Sequence, residues 1–462
     1  MAEEKRKRRW LWWGIGILVL VVLTPPAIYQ YLVEVAYAPR HGEGWIDDRR
    51  LVPEPLPQEP PPSPNARDTY LAAAGALSDP SSIDSVVVPG SASTSPGPRA
   101  MGMDVITFVE TYPDLVKDVV DRNAQALDLM HEARDQEMAL PSPTDALHAR
   151  EFSRYREMAR LANTATLYYH LVEGDDDAAL RVSEDTLALG DKLCHGSEVI
   201  TALVGIAVAA IVHDPTARVI LDGDLTPERI EEHAAFVRGL RDDPASIAYL
   251  MQGEYWQMAH LLAEAEDDLS GLTSWPAHFQ DASSGGTRPP EEWAQAVSEG
   301  LQAEAARRHW RQSWEWTQDR YARYISSAEG TDDSMSLDEL IERTPTDLEA
   351  RNDPIAEMLL FSSLDKLIRK LHEHEAQVAS LAVLCGLRLY AMDHGEMPES
   401  LDALVPDYLP EMPLDPFTGE PLIYHPPAEG LALYSVGPDG QDDGGQRRGS
   451  ADTWDVVTLP LR

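Results

Sequence analysis

Lysine is scarce in this chain: beyond Lys5 and Lys7 it occurs only at Lys117, Lys192, Lys366 and Lys370 among 462 residues. With 78 acidic against 38 basic side chains, the formal charge is -40 and the isoelectric point lies near 4.5. Such a surface repels phosphate, which excludes nucleic acid as a partner. An acid-rich, lysine-poor surface suits concentrated salt, and a GC-rich genome that favours arginine gives the same bias. Cysteine is scarce too. Cys194 and Cys385, both beside apolar helical residues, allow either one disulfide, which an exported location would permit, or two buried thiols. HExxH, GxSxG and a glycine-rich phosphate loop are all missing, so no metalloprotease, nucleophile-elbow or P-loop site is written in the chain. His372-Glu373-His374-Glu375 does not replace them. Histidines two apart on a helix point about 200° apart and cannot share one ion.

Charge is unevenly distributed. Residues 1–32 carry a net +3, so the other 430 residues sum to -43. After Lys5-Arg6-Lys7-Arg8-Arg9 comes an uncharged run from Trp10 to Val33. At ~1.5 Å per residue that run reaches about 36 Å, enough to cross a ~30 Å hydrocarbon core. Trp10, Trp12 and Trp13 at one end, with Tyr29 and Tyr31 at the other, supply interfacial aromatic rings. The preceding cations place the N-terminus in the cytoplasm and the body outside it. The expectation is a single-pass protein of the inner (cytoplasmic) membrane. Thr24-Pro25-Pro26 shortens the strongly apolar part to Trp10–Leu23, which leaves a cleavable signal peptide ending at Ala36-Tyr37-Ala38 as a competing reading. Pro39 and the long gap after Leu23 weigh against cleavage, and either reading exports the body.

The expected fold is mainly α: a transmembrane helix, a body of α-helical hairpins, and a small C-terminal α+β module with an antiparallel sheet. Residues 1–9 form the basic tail, 10–33 the membrane helix and 34–65 a proline-rich spacer. Seven prolines in residues 53–64 favour a semi-rigid polyproline II stretch. Residues 66–374 form the helical body. There Thr144–Glu173 and Ala178–Leu193 flank the turn Gly174-Asp175-Asp176-Asp177, like one tetratricopeptide-type hairpin with no second copy, hence an ordinary αα-hairpin. Thr226-Pro227-Glu228 is a helix start. Val199–Val212 is apolar but too short to span a bilayer, so a buried core helix is expected. Ser81–Pro98 and Ser270–Pro290, rich in Ser, Gly and Pro, read as loops or surface lids. From about Pro354 to Met392 a last helix carries Val378, Leu381, Ala382, Cys385, Leu389 and Met392 on one face. Beyond Gly395 the helical periodicity stops, and Leu422–Tyr424, Leu431–Val436 and Val456–Leu459 read as strands.

The tail carries a chain of motifs: Ala391-Met392-Asp393-His394-Gly395-Glu396-Met397-Pro398, then Leu401, Leu404 and Tyr408-Leu409-Pro410. Pro413, Asp415-Pro416-Phe417, Gly419–Tyr424 and Leu433–Gly440 follow in order. Residues from about 375 to 460, within a C-terminal domain of 375–462, thereby resemble the C-terminal domain of the type II secretion major pseudopilin, protein G. The resemblance implies a helix, a small sheet and a loop holding calcium. It implies Asp439 as ligand, Val436 and Gln441 as carbonyl donors, and Asp452 closing the site, with Asp442 and Asp443 alongside. Hard oxygen ligands in a turning, glycine-rich loop suit calcium independently. An EF-hand is excluded, because its alternating acidic positions and closing Glu are missing. Pseudopilins also assemble through a processed N-terminal helix with a Gly before the cleavage site and a Glu soon after it. Here no acidic residue follows Trp10 until Glu34, so the module sits on a different body and a pilus subunit is not implied.

One further surface is expected to bind a partner. Arg307, Trp310, Arg311, Trp314 and Tyr321 lie in the exported body's clearest basic-aromatic stretch, with Trp314 and Tyr321 seven residues apart on one helical face. The function expected from these features is a membrane-anchored, non-enzymatic envelope scaffold or accessory protein with an envelope protein as partner, linked to secretion or pilus machinery. The alternative is an envelope hydrolase whose glycosidase-like carboxylate pair comes together only in the fold.

Overall fold

In the computed structural model, the structure describes residues 62–88, 96–140, 149–196, 198–242, 364–445 and 455–459, together with Leu250 and Gly253. The membrane helix, the basic tail, residues 34–61 of the spacer, the 270–290 segment and the basic-aromatic stretch lie outside these residues. The described part is mostly helical with a small antiparallel sheet. Its helices in chain order are α1 (Ala66–Gly75), α2 (Val105–Thr111), α3 (Pro113–Arg122), α4 (Ala124–Arg134), α5 (Ala149–Tyr168), α6 (Asp176–Cys194), α7 (Val199–Asp222), α8 (Pro227–Asp242) and α9 (Leu364–His394).

Local chemistry sets the helix ends. The Asn65 side chain accepts the backbone N–H of Arg67 to cap α1 and also exchanges hydrogen bonds with the backbone of Ala139, tying two distant segments. Asp104 caps α2, and Asp175 caps α6 through the N–H of Ala178. Thr226 Oγ1 accepts from Arg229 N at the start of α8. α5 runs into a π turn, Tyr169–Glu173, that ends on Gly174 at φ +68°, a left-handed conformation that favours glycine. The hairpin expected around residues 174–177 is therefore present as α5–turn–α6.

α6 packs along α7, and α5 packs on both. α7 has the length and composition of a membrane span, yet 67% of its apolar window is buried inside the fold. Over its described part Ser81–Pro98 is a loop with a short 3-10 turn, as expected, but it is partly buried and is not a surface lid. Ile83, Val86 and Val88 are core residues, Ser82 is buried beside them, and Ile83 N donates to Thr164 Oγ1. The serines are spacers between three aliphatic anchors, and burial of those anchors draws the segment inward.

The tail forms a three-stranded antiparallel sheet, β1 (Ile423–His425), β2 (Ala432–Ser435) and β3 (Val456–Leu459), in the order β1-β2-β3. Tyr424 pairs with Leu433, and Ser435 pairs with Val456, with an irregularity in register at Leu433/Tyr434. Leu433 and Leu459 join the same hydrophobic core as Val378, Leu381 and Leu384 of α9 and Val212 and Ala217 of α7. Positions 374 and 375 are both inside α9, which runs unbroken across the junction. Cys194 and Cys385 are free, buried thiols in two different apolar clusters.

Candidate functional site

Two places bring chemistry-bearing side chains together. The first is the tail loop. Asp439 Oδ1 accepts from Gln441 N at 3.1 Å, and Asp442 Oδ1 accepts from Tyr434 Oη at 3.0 Å and Gly444 N at 2.8 Å. Asp455, 2% exposed, accepts from the backbone of Asp443 and of Gly445. Val436 is buried with its N–H given to Asp415, while Gln441 is exposed. Asp415 itself is 1% exposed and accepts from Phe417 N, Ser435 Oγ and Val436 N. Burial pushes its carboxyl up, against the pull of those three donors. The carboxylates of Asp439, Asp442 and Asp455 are thus engaged by backbone N–H groups of the loop. Among the described residues no three metal-ligating side chains converge, so calcium between Asp439 and Asp452 would need a residue outside them. Arg307, Trp310, Arg311, Trp314 and Tyr321 likewise lie outside the described residues.

The second place has no counterpart in the sequence-based expectations. Where α4, α6 and α8 meet, an open cleft of about 280 Å³ is lined by Arg134, Arg181 and Arg229, by Asp177, Glu184 and Glu232, and by His131. Helical spacing builds it. Asp177, Arg181 and Glu184 follow one another at i+4 and i+3 along α6, and Arg229 and Glu232 are i, i+3 on α8. Glu184 is 3% exposed and accepts three hydrogen bonds: from Arg134 Nη1 at 2.9 Å, Arg229 Nη1 at 2.8 Å and His233 Nδ1 at 2.8 Å. Burial alone would raise its pKa, but the bonds from His233 and Arg229 outweigh it and hold the carboxyl at about 2. Asp185, also 3% exposed, lies with both oxygens 3.1 Å from His131 Nδ1. Burial raises its pKa, and His131 opposes that rise only in part.

The cations are held by their remaining contacts. Arg229 Nε donates to Asp177 Oδ1 and Arg181 Nη2 to Asp177 Oδ2, while the Arg134 guanidinium lies 4.9 Å from the Phe236 ring centroid. His233 is fully buried, its Nε2 lacks a hydrogen-bond partner, and burial lowers its pKa. Such an arrangement clamps three helices and fixes the orientation of one imidazole, His131, whose side chain is 56% exposed.

A third polar cluster sits in the core. Ser380 Oγ donates to Gln377 O at 2.7 Å, accepts from Thr458 Oγ1 at 2.7 Å and lies 3.2 Å from His213 Nε2. With its proton directed to Gln377 O, this hydroxyl links α7, α9 and β3 and is not primed as a nucleophile. His372 and His374 each keep a buried Nδ1 without a partner. No protein-family model, no curated protein and no solved structure matches this chain.

Proposed function

We propose that this chain is a membrane-anchored, non-enzymatic scaffold or accessory protein of the cell envelope, linked to secretion or pilus machinery. The observation that carries the non-enzymatic part is the burial of Glu184 and Asp185, both 3% exposed, with Glu184 paired to Arg134 and Arg229 and Asp185 hydrogen-bonded to His131. Carboxylates so placed brace helices; a hydrolytic pair must reach its substrate. Anchoring through Trp10–Val33, with the body outside the cytoplasm, completes the proposal. The pseudopilin-like tail, a helix followed by a small antiparallel sheet and a glycine-rich loop, is its partner-facing module. Calcium held by Asp439 and Asp452, with carbonyls of Val436 and Gln441, belongs to the same proposal, as does partner contact through Arg307, Trp310, Arg311, Trp314 and Tyr321.

A reporter fused after Arg462 tests the orientation. An export-dependent reporter should be active there, and activity of a cytoplasm-only reporter would reverse the topology. Photo-crosslinking from position 439 in intact cells tests the scaffold role. A discrete adduct with one envelope protein is expected, and a purely monomeric product would overturn it. Melting the full chain with calcium and with a chelator tests the loop, and identical melts would remove calcium from the proposal.

The hydrolase reading keeps one observation. Glu184 and Asp185 are neighbours whose environments drive their pKa values apart, and Asp185 orients the exposed His131. If His131 is a general base, His131→Gln abolishes hydrolysis of an envelope ester or glycan while the fold persists.

A further inference from the structure

The cleft between α4, α6 and α8 has unspent hydrogen-bonding capacity of both signs. Among the described residues Arg181 donates through Nη2 alone, Arg134 through Nη1 alone, and Arg229 through Nε and Nη1. A guanidinium carries five N–H donors, so each of the three keeps donors to offer. Opposite in sign is Glu232, exposed at the cleft and without a hydrogen bond or ion pair among the described residues. Three arginines and three carboxylates line the space, which makes its formal charge zero apart from His131. A bare anion entering it meets Asp177, Glu184 and Glu232 as well as the arginines. A bare cation meets the reverse. A ligand carrying both charges a few ångströms apart is opposed by neither.

Ion pairs and hydrogen bonds hold the side chains around this space. Buried Glu184 fixes Arg134 and Arg229, Asp177 fixes Arg181 from the other side, and Asp185 fixes His131. Preorganised side chains lose little freedom on binding, which is what a small ligand with few contacts requires. About 280 Å³ is just below the ~300 Å³ at which small-molecule sites begin, which suits only a very small ligand.

We propose that this cleft binds a small zwitterion of the α-amino-acid class, its carboxylate on the free guanidinium edges of Arg134, Arg181 and Arg229 and its ammonium on Glu232. The proposal is independent of the scaffold reading: binding of this kind needs neither a partner nor catalysis.

Calorimetry on the full-length protein in detergent, at low salt, with L-alanine, L-glutamate and L-lysine as separate probes, tests it. At least one probe should bind with a submillimolar Kd, while acetate and methylammonium bind at least tenfold more weakly. Arg181→Gln and Glu232→Gln should each weaken that probe tenfold or more, and because both side chains are exposed, thermal melts of the variants should match the parent. Absence of binding by all three probes overturns the proposal. Acetate binding as tightly as the amino acids reduces the cleft to a plain anion site, and unchanged affinity in both variants places the ligand elsewhere.

Discussion

A Cβ built on Gly205 would lie 2.4 Å from the carbonyl oxygen of Gly190, and one built on Gly190 would lie 2.9 Å from the carbonyl oxygen of Gly205. The two glycines let α6 and α7 approach backbone to backbone, and Cys194 N and Sγ are each 2.9 Å from the same Gly205 position. No rotamer relieves a clash with a carbonyl. Gly205→Ala should therefore destabilise the protein by about 1–3 kcal/mol or more, as overpacking does. Gly239 has open space around its missing Cβ and serves as the control: Gly239→Ala should be neutral or slightly stabilising. Urea melts followed by helical circular dichroism compare the two, and equal midpoints would refute the close approach.

Much of the architecture is legible in the chain. Asp175, Thr226-Pro227 and Gly174 mark ends that the structure places within two residues of expectation, because caps and left-handed turns are local chemistry. The strands of the tail are legible as short apolar runs among frequent prolines and glycines. The cleft was not, since Glu184 meets Arg134, Arg229 and His233 across sequence separations of 45 to 50 residues. One local signal was present. Ser183-Glu184-Asp185-Thr186 interrupts the apolar run of α6, and all four are buried. Four consecutive polar residues between Val182 and Leu187 cannot all face water on a helix, so partners had to come from elsewhere in the fold.

Glu184→Ala should be among the most destabilising single changes in the described body. It leaves Arg134, Arg229 and His233 Nδ1 without their shared acceptor, and breaking a buried ion cluster from one side costs about 3–5 kcal/mol. Asp118→Ala removes an exposed i, i+4 partner of Arg122 and should cost no more than ~0.5 kcal/mol. A thermal shift of similar size in both variants would show that Glu184 is solvated in solution.

Asp415 is the buried acceptor that joins the β-strand region to the turn before it. Asp415→Asn keeps the shape but turns one acceptor oxygen into a donor facing Val436 N or Ser435 Oγ. A loss of about 1–3 kcal/mol is expected, from a buried N–H or O–H left unpaired. Hydrogen exchange should localise the effect to residues 415–436. Uniform loss of protection across α1 to α8 would contradict that assignment.

Mild acid should weaken the fold through its buried histidines before Glu184 responds. His372 is 6% exposed, its Nδ1 has no partner, its ring meets Phe417 edge-on at 5.6 Å, and burial lowers its pKa to about 4. In the unfolded chain the imidazole titrates near 6.5. Between those values the unfolded state binds the extra proton, so stability falls as pH drops from 6.5 and levels for this group below about 4. His374 shifts the same way to about 4, and burial also lowers His233, though Glu184 opposes that shift. Glu184 acts later: its folded pKa of about 2 against 4.5 unfolded keeps its contribution intact above pH 4.5 and loses it below. Each proton taken up on unfolding contributes up to about 1.4 kcal/mol per pH unit. Melting temperatures measured from pH 7.5 to 4.5 should therefore decline steadily. His372→Gln should make that decline shallower, whereas its effect on the limb below pH 4.5 should be small. If parent and variant lose stability in parallel from 6.5 to 4.5, His372 is reached by water and is not the buried neutral group described above.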